Sequence, residues 1–294
     1  MNREKPIDLS GLSFPFRLHK YKQKGEEKSM KSPYFLTVSL CSLTLLVFPL
    51  LSNASVETSK TGAFTKAFDP TRAAQLSWQP RAFVYKGFLS DEECDHLIDL
   101  AKGKLVKSMV ANDETGESME SQERTSSGMF IFKTEDEIVN GIEARIATLT
   151  FLPEENGEPI QILRYEHGQK YEAHIDYFVD KANQEEGGHR AATVLMYLSD
   201  VKKGGETVFP TSEPKGPQAK DDSWSDCAKK GYAVKPNKGD ALLFFSLHPD
   251  ATPDPGSLHA SCPVIEGEKW SATKWIHVRS FSEPVKRTKM GKLY

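Results

Sequence analysis

Tyr165-Glu166-His167-Gly168-Gln169-Lys170-Tyr171-Glu172-Ala173-His174-Ile175-Asp176-Tyr177-Phe178 is the stretch on which the reading of this chain turns. At its centre, His174-Ile175-Asp176 sets an imidazole and a carboxylate two positions apart. In a β-strand, residues i and i+2 point to the same face. A strand over 174–178 would therefore aim both groups at one point. A third ligand has to come from elsewhere, and His259, in Ser257-Leu258-His259, is the candidate. Two imidazoles and one carboxylate, with open positions opposite, suit a divalent iron. His-x-Asp alone is too common to carry that reading, so the rest of the chain has to.

Beyond residue 160 the pattern is one of short strands: 161–165, 174–178, 193–198, 207–209, 232–235, 241–246 and 271–278. Turn signals separate them, at Gly187-Gly188, Gly204-Gly205, Pro236-Asn237-Lys238-Gly239-Asp240 and residues 253–256. Many short strands at this spacing predict an antiparallel sandwich or jelly roll. His174 and His259 then fall on two strands of a closed double sheet, too far apart for one hairpin. Lys269 follows in Glu266-Gly267-Glu268-Lys269-Trp270. Two readings of it stand: a surface lysine with its stem laid along apolar neighbours, or a cation held inside the barrel to pair a dicarboxylate.

Upstream, residues 81–85 alternate as a strand. Ser90-Asp91-Glu92-Glu93 is a capping box, and Cys94, Leu97, Ile98 and Ala101 follow at helical spacing. Thr134-Glu135-Asp136-Glu137 opens a second helix in the same way, with Ile138, Ile142, Ile146 and Leu149 on one face. Residues 112–127, between the helices, are polar: either a surface loop or a mobile lid over a site. His96, on the first helix, reads as structural. His167, His189 and His248 fall in loops, and no role is assigned to them.

The chain has 294 residues, 38% apolar and 27% charged, which suits a soluble domain with ample core. Its net charge of −3, and the lack of a basic stripe interleaved with aromatics, give no reason to expect nucleic acid as a partner. Residues 34–51, YFLTVSLCSLTLLVFPLL, carry no charge. A helix of that length spans about 27 Å, close to a bilayer core. Residues 1–33 hold eight Lys or Arg against four Asp or Glu, with Lys20, Lys22, Lys24, Lys28 and Lys31 nearest the apolar run. That bias orients the N-terminus to the cytosol. A cleaved signal peptide is the rival reading, but its charged leader would be unusually long. We read 1–33 as a cytosolic basic tail, 34–51 as a transmembrane signal-anchor and 52–77 as a polar stem. Residues 78–160 form the helical and strand part of a luminal domain, 161–280 its core and 281–294 a C-terminal tail. Asn53-Ala54-Ser55 fits the glycosylation pattern, yet it abuts the span and is expected to stay unmodified.

Several segments together carry a resemblance: Pro80-Arg81-Ala82-Phe83, residues 165–178, Gly204-Gly205-Glu206-Thr207-Val208-Phe209-Pro210, Lys238-Gly239-Asp240-Ala241-Leu242 and residues 259–277. They resemble the short, membrane-anchored prolyl 4-hydroxylases of plants and green algae, which are Fe(II)- and 2-oxoglutarate-dependent dioxygenases. The resemblance runs from residue 78 to about 280. It implies an α+β fold: a double-stranded β-helix (jelly-roll) core with N-terminal helices packed on one sheet, preceded by one transmembrane helix. It implies His174, Asp176 and His259 as iron ligands. Lys269 would take the distal carboxylate of 2-oxoglutarate, helped by Tyr165 and Thr207. O2 is the implied oxidant, and ascorbate the reductant that rescues iron oxidised in uncoupled turnovers.

Tyr171, Phe178, Arg190, Trp275 and His277 match positions that border the family's peptide groove. Aromatic faces suit the extended left-handed helix of a proline-rich chain. Core or rim packing is the alternative for Tyr171 and Trp275, and an ordinary surface cation for Arg190. The implied partners are proline-rich secretory peptides and, through the single span, the endoplasmic reticulum or Golgi membrane; the oligomeric state is open. Two other functions stand beside this one: a related dioxygenase acting on another peptidyl or small-molecule substrate, and a non-catalytic jelly-roll binding module. Intact Lys269, Tyr165 and Thr207 speak against the binding module, which needs no keto-acid pocket.

Of the four cysteines, Cys41 lies in the apolar run. That leaves Cys94, Cys227 and Cys262, an odd number in an oxidising lumen. A Cys227–Cys262 bridge would brace the loop that carries His259 and leave Cys94 as a buried free thiol. Three reduced thiols is the other reading.

Overall fold

Strands β1 (Ala73–Gln79) and β2 (Arg81–Tyr85) form the first hairpin, and helix α1 (Asp91–Ala101) follows. Short strands β3 (Val106–Lys107), β4 (Val110–Ala111), β5 (Ser118–Met119) and β6 (Ser127–Ile131) lead to helix α2 (Glu137–Thr150). Next come β7 (Ile160–Tyr165), β8 (Tyr171–His174), α3 (Lys181–Glu185), β9 (Arg190–Tyr197), β10 (Lys203–Gly204), β11 (Thr207–Phe209) and β12 (Glu213–Pro214). The last strands are β13 (Tyr232–Val234), β14 (Ala241–Phe245), β15 (His259–Ser261), β16 (Val264–Glu266) and β17 (Lys269–His277). This computed structural model describes residues 68–281, Lys215 excepted. The expected tail at 1–33, the span at 34–51 with Cys41, Asn53 and residues 282–294 lie outside the described residues. Among the described residues, no helix is long and apolar enough to cross a membrane.

A nine-stranded sheet runs in the order β12-β1-β2-β14-β9-β17-β7-β6-β3, and a four-stranded one in the order β13-β11-β15-β8. Neighbours in both are antiparallel. The inner faces meet where Phe209 of β11 and His259 of β15 pack on Phe244 of β14, at ring separations of 5.3 Å (Phe209–Phe244) and 4.5 Å (His259–Phe244). This is the two-sheet, jelly-roll arrangement, with the helices on the outer face of the larger sheet.

Alternation along each strand decides what faces what. Ile160 and Ile162, Ala192, Val194 and Met196, Ala241 and Leu243, and Trp270, Ala272 and Ile276 share one core with Cys94, Leu97 and Ala101 of α1 and Val139, Ile142, Ile146 and Leu149 of α2. The residues between them, including Leu163, Tyr165, Thr193, Leu195, Phe244, Ser271 and Thr273, face the small sheet across a cleft. Strand β17 is buried at all nine positions because both of its faces are covered. Its period of two sends Lys269 and Lys274, an odd number of residues apart, to opposite faces. Lys274 goes to the helix side. It donates to Glu143 Oε1 of α2 at 2.6 Å and to the Glu158 carbonyl.

The helix α1 begins as expected: Ser90 Oγ accepts from the Glu93 N–H, and Glu93 Oε2 accepts from the Ser90 N–H. The start of α2 differs from expectation. Its cap is Asp136, which accepts from the Val139 N–H at 2.9 Å, and not Thr134. A turn closed by Glu135 N–H to Phe132 O precedes it and delays the helix by two residues. The second Asp136 oxygen takes His96 Nε2 at 2.7 Å, so His96 ties the two helices together.

Three further expectations need correction. The folded part starts before Ser77-Trp78: β1 (Ala73–Gln79), whose residues up to Ser77 fall in the expected stem, pairs with β2. The strand expected over 174–178 lies earlier, at Tyr171–His174, and Asp176 sits past its end. The ladder stops there because its partner β15 begins at His259, the residue paired with His174. Finally, the polar run at 112–127 is not one irregular loop: it supplies the turn and second strand of the β4–β5 hairpin, whose turn is closed by Asn112 Oδ1 accepting from the Glu114 and Thr115 N–H groups.

Candidate active site

His174 and His259 are cross-strand partners on β8 and β15, with ring centroids 4.3 Å apart. The bend after His174 brings the Asp176 carboxylate beside them. Its Oδ1 lies 3.7 Å from His174 Nε2, and its Oδ2 lies 3.8 Å from His259 Nε2. One ligand atom from each of the three lies within 4.8 Å of the others. So the convergence inferred from a shared strand face is real, but it arises from a cross-strand pair plus a bend.

The tautomers follow from the partners. His174 Nδ1 faces the Glu172 carbonyl at 2.8 Å, and His259 Nδ1 faces the Ser257 carbonyl at 3.0 Å. A carbonyl only accepts, so each Nδ1 carries the proton and each Nε2 lone pair is free for a metal. Burial first, and the neighbouring His259 second, hold the His174 pKa below its ordinary value, which keeps the ring neutral. Burial opposes ionisation of Asp176, but the surrounding positive charge, Arg190 included, and the Thr193 hydrogen bond outweigh it and keep the carboxyl below its usual range. Neutral imidazoles and an ionised carboxylate fit Fe(II).

At the other end of the cleft stands Lys269, 1% exposed. Its Nζ donates to Ser261 Oγ at 2.9 Å and lies 5.2 Å from the Tyr165 ring centre. Burial pushes the ammonium pKa down to about 7, with Glu206 working in the opposite direction. Thr207 Oγ1 accepts from the Tyr197 hydroxyl at 2.9 Å, which leaves its own proton to donate. Ser271 Oγ is buried on the same cleft wall and has no hydrogen-bond partner among the described residues. A buried cation with one hydrogen bond among the described residues, ringed by hydroxyls, fits a carboxylate. The cleft thus joins a metal-ligand cluster to an anion seat, as a chelating dicarboxylate requires.

The expected peptide-binding residues divide. Tyr171 lines the cleft and stacks on His174 at 3.6 Å, and Trp275 lines it too. Arg190, Phe178 and His277 form a cluster beside it. Glu158 binds the Arg190 guanidinium through both oxygens, at 2.5 and 3.0 Å, and takes His277 Nε2 at 2.9 Å. Burial opposes ionisation of Glu158, but the Arg190 charge and the His277 hydrogen bond outweigh it and hold its pKa at about 2. Arg190 in turn lies over the Trp275 face at 4.1 Å and the Phe178 face at 4.8 Å.

Sequence reasoning missed Arg124, Glu158, Thr193, Ser261 and Ser271. Thr193 and Ser271 were within reach, being polar residues on the alternating face that also carries Leu195 in β9 and Lys269 in β17. Arg124 was not. It sits in an aperiodic polar run and reaches the cleft by donating to Gln161 Oε1 and the Met109 carbonyl. Cys227 and Cys262 are joined, which ties the loop before β13 to the end of β15. Cys94 is a buried free thiol, its pKa raised to about 12 by burial.

The 2OG-Fe(II) oxygenase superfamily profile matches residues 160–277. The Arabidopsis thaliana protein named "Probable prolyl 4-hydroxylase 7" is 64% identical over 266 residues, which cover 86% of this chain and 84% of that one. "Prolyl 4-hydroxylase 2" of the same plant is 58% identical over 251 residues, 84% of either chain. Among solved structures, a viral collagen prolyl hydroxylase from Paramecium Bursaria Chlorella virus-1, in its 2OG complex, is 29% identical, covers 66% of this chain and 94% of its own, and has a TM-score of 0.49. The ligand cluster, the anion seat and relatives this close lead to one conclusion: this chain belongs to the prolyl 4-hydroxylases of the 2OG-Fe(II) oxygenase superfamily.

Proposed function

We propose that this protein hydroxylates C4 of proline residues in proline-rich secretory peptides, consuming 2-oxoglutarate and O2. One observation carries the reading. Two free imidazole Nε2 atoms and a carboxylate converge at one end of a cleft whose other end holds a buried, singly partnered lysine.

His174, Asp176 and His259 would hold Fe(II). When bound, the iron supplies the oxidation: 2-oxoglutarate becomes succinate and CO2, one O2 oxygen enters succinate, and the other becomes the proline hydroxyl. The chain's own share is placement. Lys269 pairs the distal carboxylate, with hydrogen bonds from Tyr165, Thr207 and Ser271. Leu163, Leu195 and Phe244 line the wall between the two ends and exclude water from it. Tyr171 and Trp275 offer aromatic faces to a proline ring at the cleft, and the Arg190–His277–Phe178 cluster borders the path of the peptide. Ascorbate keeps the iron reduced.

The apolar run at 34–51 and the basic excess before it support an anchor in the endoplasmic reticulum or Golgi membrane, with the catalytic part luminal. The Cys227–Cys262 bridge suits such an oxidising compartment.

The test is to incubate the enzyme with Fe(II), 2-oxoglutarate, ascorbate and a poly-proline peptide, and to follow succinate and hydroxyproline together. Equal yields of the two are expected, with neither rising above background for an alanine-substituted peptide. Succinate release that ignores the peptide, or hydroxylation confined to lysine, would refute the assignment.

A further inference from the structure

The Asp176 carboxylate is not symmetric in its surroundings. Oδ2 accepts the Thr193 hydroxyl at 2.6 Å and the Trp275 indole N–H at 3.1 Å. Among the described residues, no hydrogen bond reaches Oδ1. A carboxylate oxygen has two lone-pair sites, so both on Oδ2 are taken and those on Oδ1 are free. Both donors come from the neighbouring central strands β9 and β17 of the large sheet, where Thr193 and Trp275 are register partners. Thr193 is 2% exposed and Trp275 6%. The indole is further fixed by Arg190, whose guanidinium lies 4.1 Å above its ring centre.

Asp176 itself gains nothing from β8, which ends at His174, so its orientation must come from across the cleft. That orientation matters for the metal. A carboxylate can grip through one oxygen or two, and an octahedral ion with three single-atom protein ligands keeps three positions. A second oxygen from Asp176 would take one of the positions that a chelating keto acid and O2 need.

We propose that Thr193 and Trp275 are positioning residues that hold Asp176 to a single coordinating oxygen, Oδ1, and so preserve the open positions of the metal site. The inference rests on the ligand set given under Proposed function. It changes the part expected of Trp275: its ring edge serves the metal carboxylate, whatever its face offers to a peptide.

The experiment uses Co(II) as the probe, added to the metal-free enzyme, with affinity and the visible absorption band as readouts. The intensity of that band reports coordination number. Thr193→Val keeps the shape of the side chain and removes the donor; Thr193→Ser keeps the donor; Trp275→Phe removes the N–H. Loss of an outer hydrogen bond to a ligating group typically costs about 10–100-fold in metal affinity. We expect a loss of that order, with an altered band, in Thr193→Val and Trp275→Phe. Thr193→Ser should match wild type, and far-UV circular dichroism should show every metal-free variant folded as the wild type is. Asp176→Ala serves as the reference and should not bind Co(II) measurably at the same concentrations. If Asp176→Ala fails to bind while Thr193→Val and Trp275→Phe both behave as wild type, the positioning role is refuted and the ligand set stands. If Asp176→Ala binds as wild type does, both are refuted.

Discussion

Lys269→Ala is the perturbation that best separates this reading from that of a generic metal protein. Lys269 is 1% exposed and its ammonium has one protein hydrogen bond, to Ser261 Oγ. The variant would leave the distal carboxylate of 2-oxoglutarate buried without its cation. Breaking a buried charge pair by removing one member costs about 3–5 kcal/mol. At roughly 1.4 kcal/mol per decade, that is about two to four decades in affinity. The hydroxyls of Tyr165, Thr207, Ser261 and Ser271 remain to bond the carboxylate, which places the expectation at the lower end, about two to three decades. Metal binding should be unchanged, because no ligand is touched. Lys269→Arg should retain part of the affinity, since the charge persists in a different geometry. The control is Lys274→Met on the same strand. Lys274 faces Glu143 on the helix side, so its loss should lower stability and leave 2-oxoglutarate affinity alone. The assay titrates 2-oxoglutarate at saturating peptide and follows succinate. Equal apparent affinities in wild type and Lys269→Ala would refute the argument and make Lys269 a bystander.

His259→Ala should abolish metal binding and peptide hydroxylation while far-UV circular dichroism stays that of the wild type; full activity with ordinary iron content would contradict the ligand set. The affinity of the metal-loaded enzyme for 2-oxoglutarate should fall as pH rises above 7, by about one order of magnitude between pH 7 and pH 8.5, because the Lys269 pKa of about 7 means that binding must then recruit a proton. The sign for stability is the reverse: the folded pKa lies below the unfolded value of 10.5, so the unfolded chain binds more protons between them. The Lys269 contribution to stability without 2-oxoglutarate is therefore least favourable below pH 7 and improves as pH climbs towards 10.5. Carbonate extraction of microsomes should leave the full chain in the pellet, and a mature N-terminus near residue 55 would instead demonstrate cleavage of the apolar run.

The sequence by itself determined the local elements and the chemistry available to them. The Ser90-to-Glu93 box, the 3.6 period of Ile142, Ile146 and Leu149, and the short alternating strands are written in neighbouring residues, because caps and periodicities act over a few positions. The ligand types were legible for the same reason: His174, Asp176 and His259 lie in segments whose spelling is distinctive. Only the tertiary structure decided which groups meet and what each one faces. His174 stands opposite His259 through the β8–β15 register, and Asp176 is turned inward by donors from β9 and β17. Lys269 and Lys274 are alike in type and share one strand. The sheet's two-residue period, with helices on one side and the small sheet on the other, puts the first in the cleft and the second against Glu143. Arg124 and Glu158 carried no local signal, because their roles depend on partners, Gln161 for one and Arg190 and His277 for the other, that only long-range packing delivers.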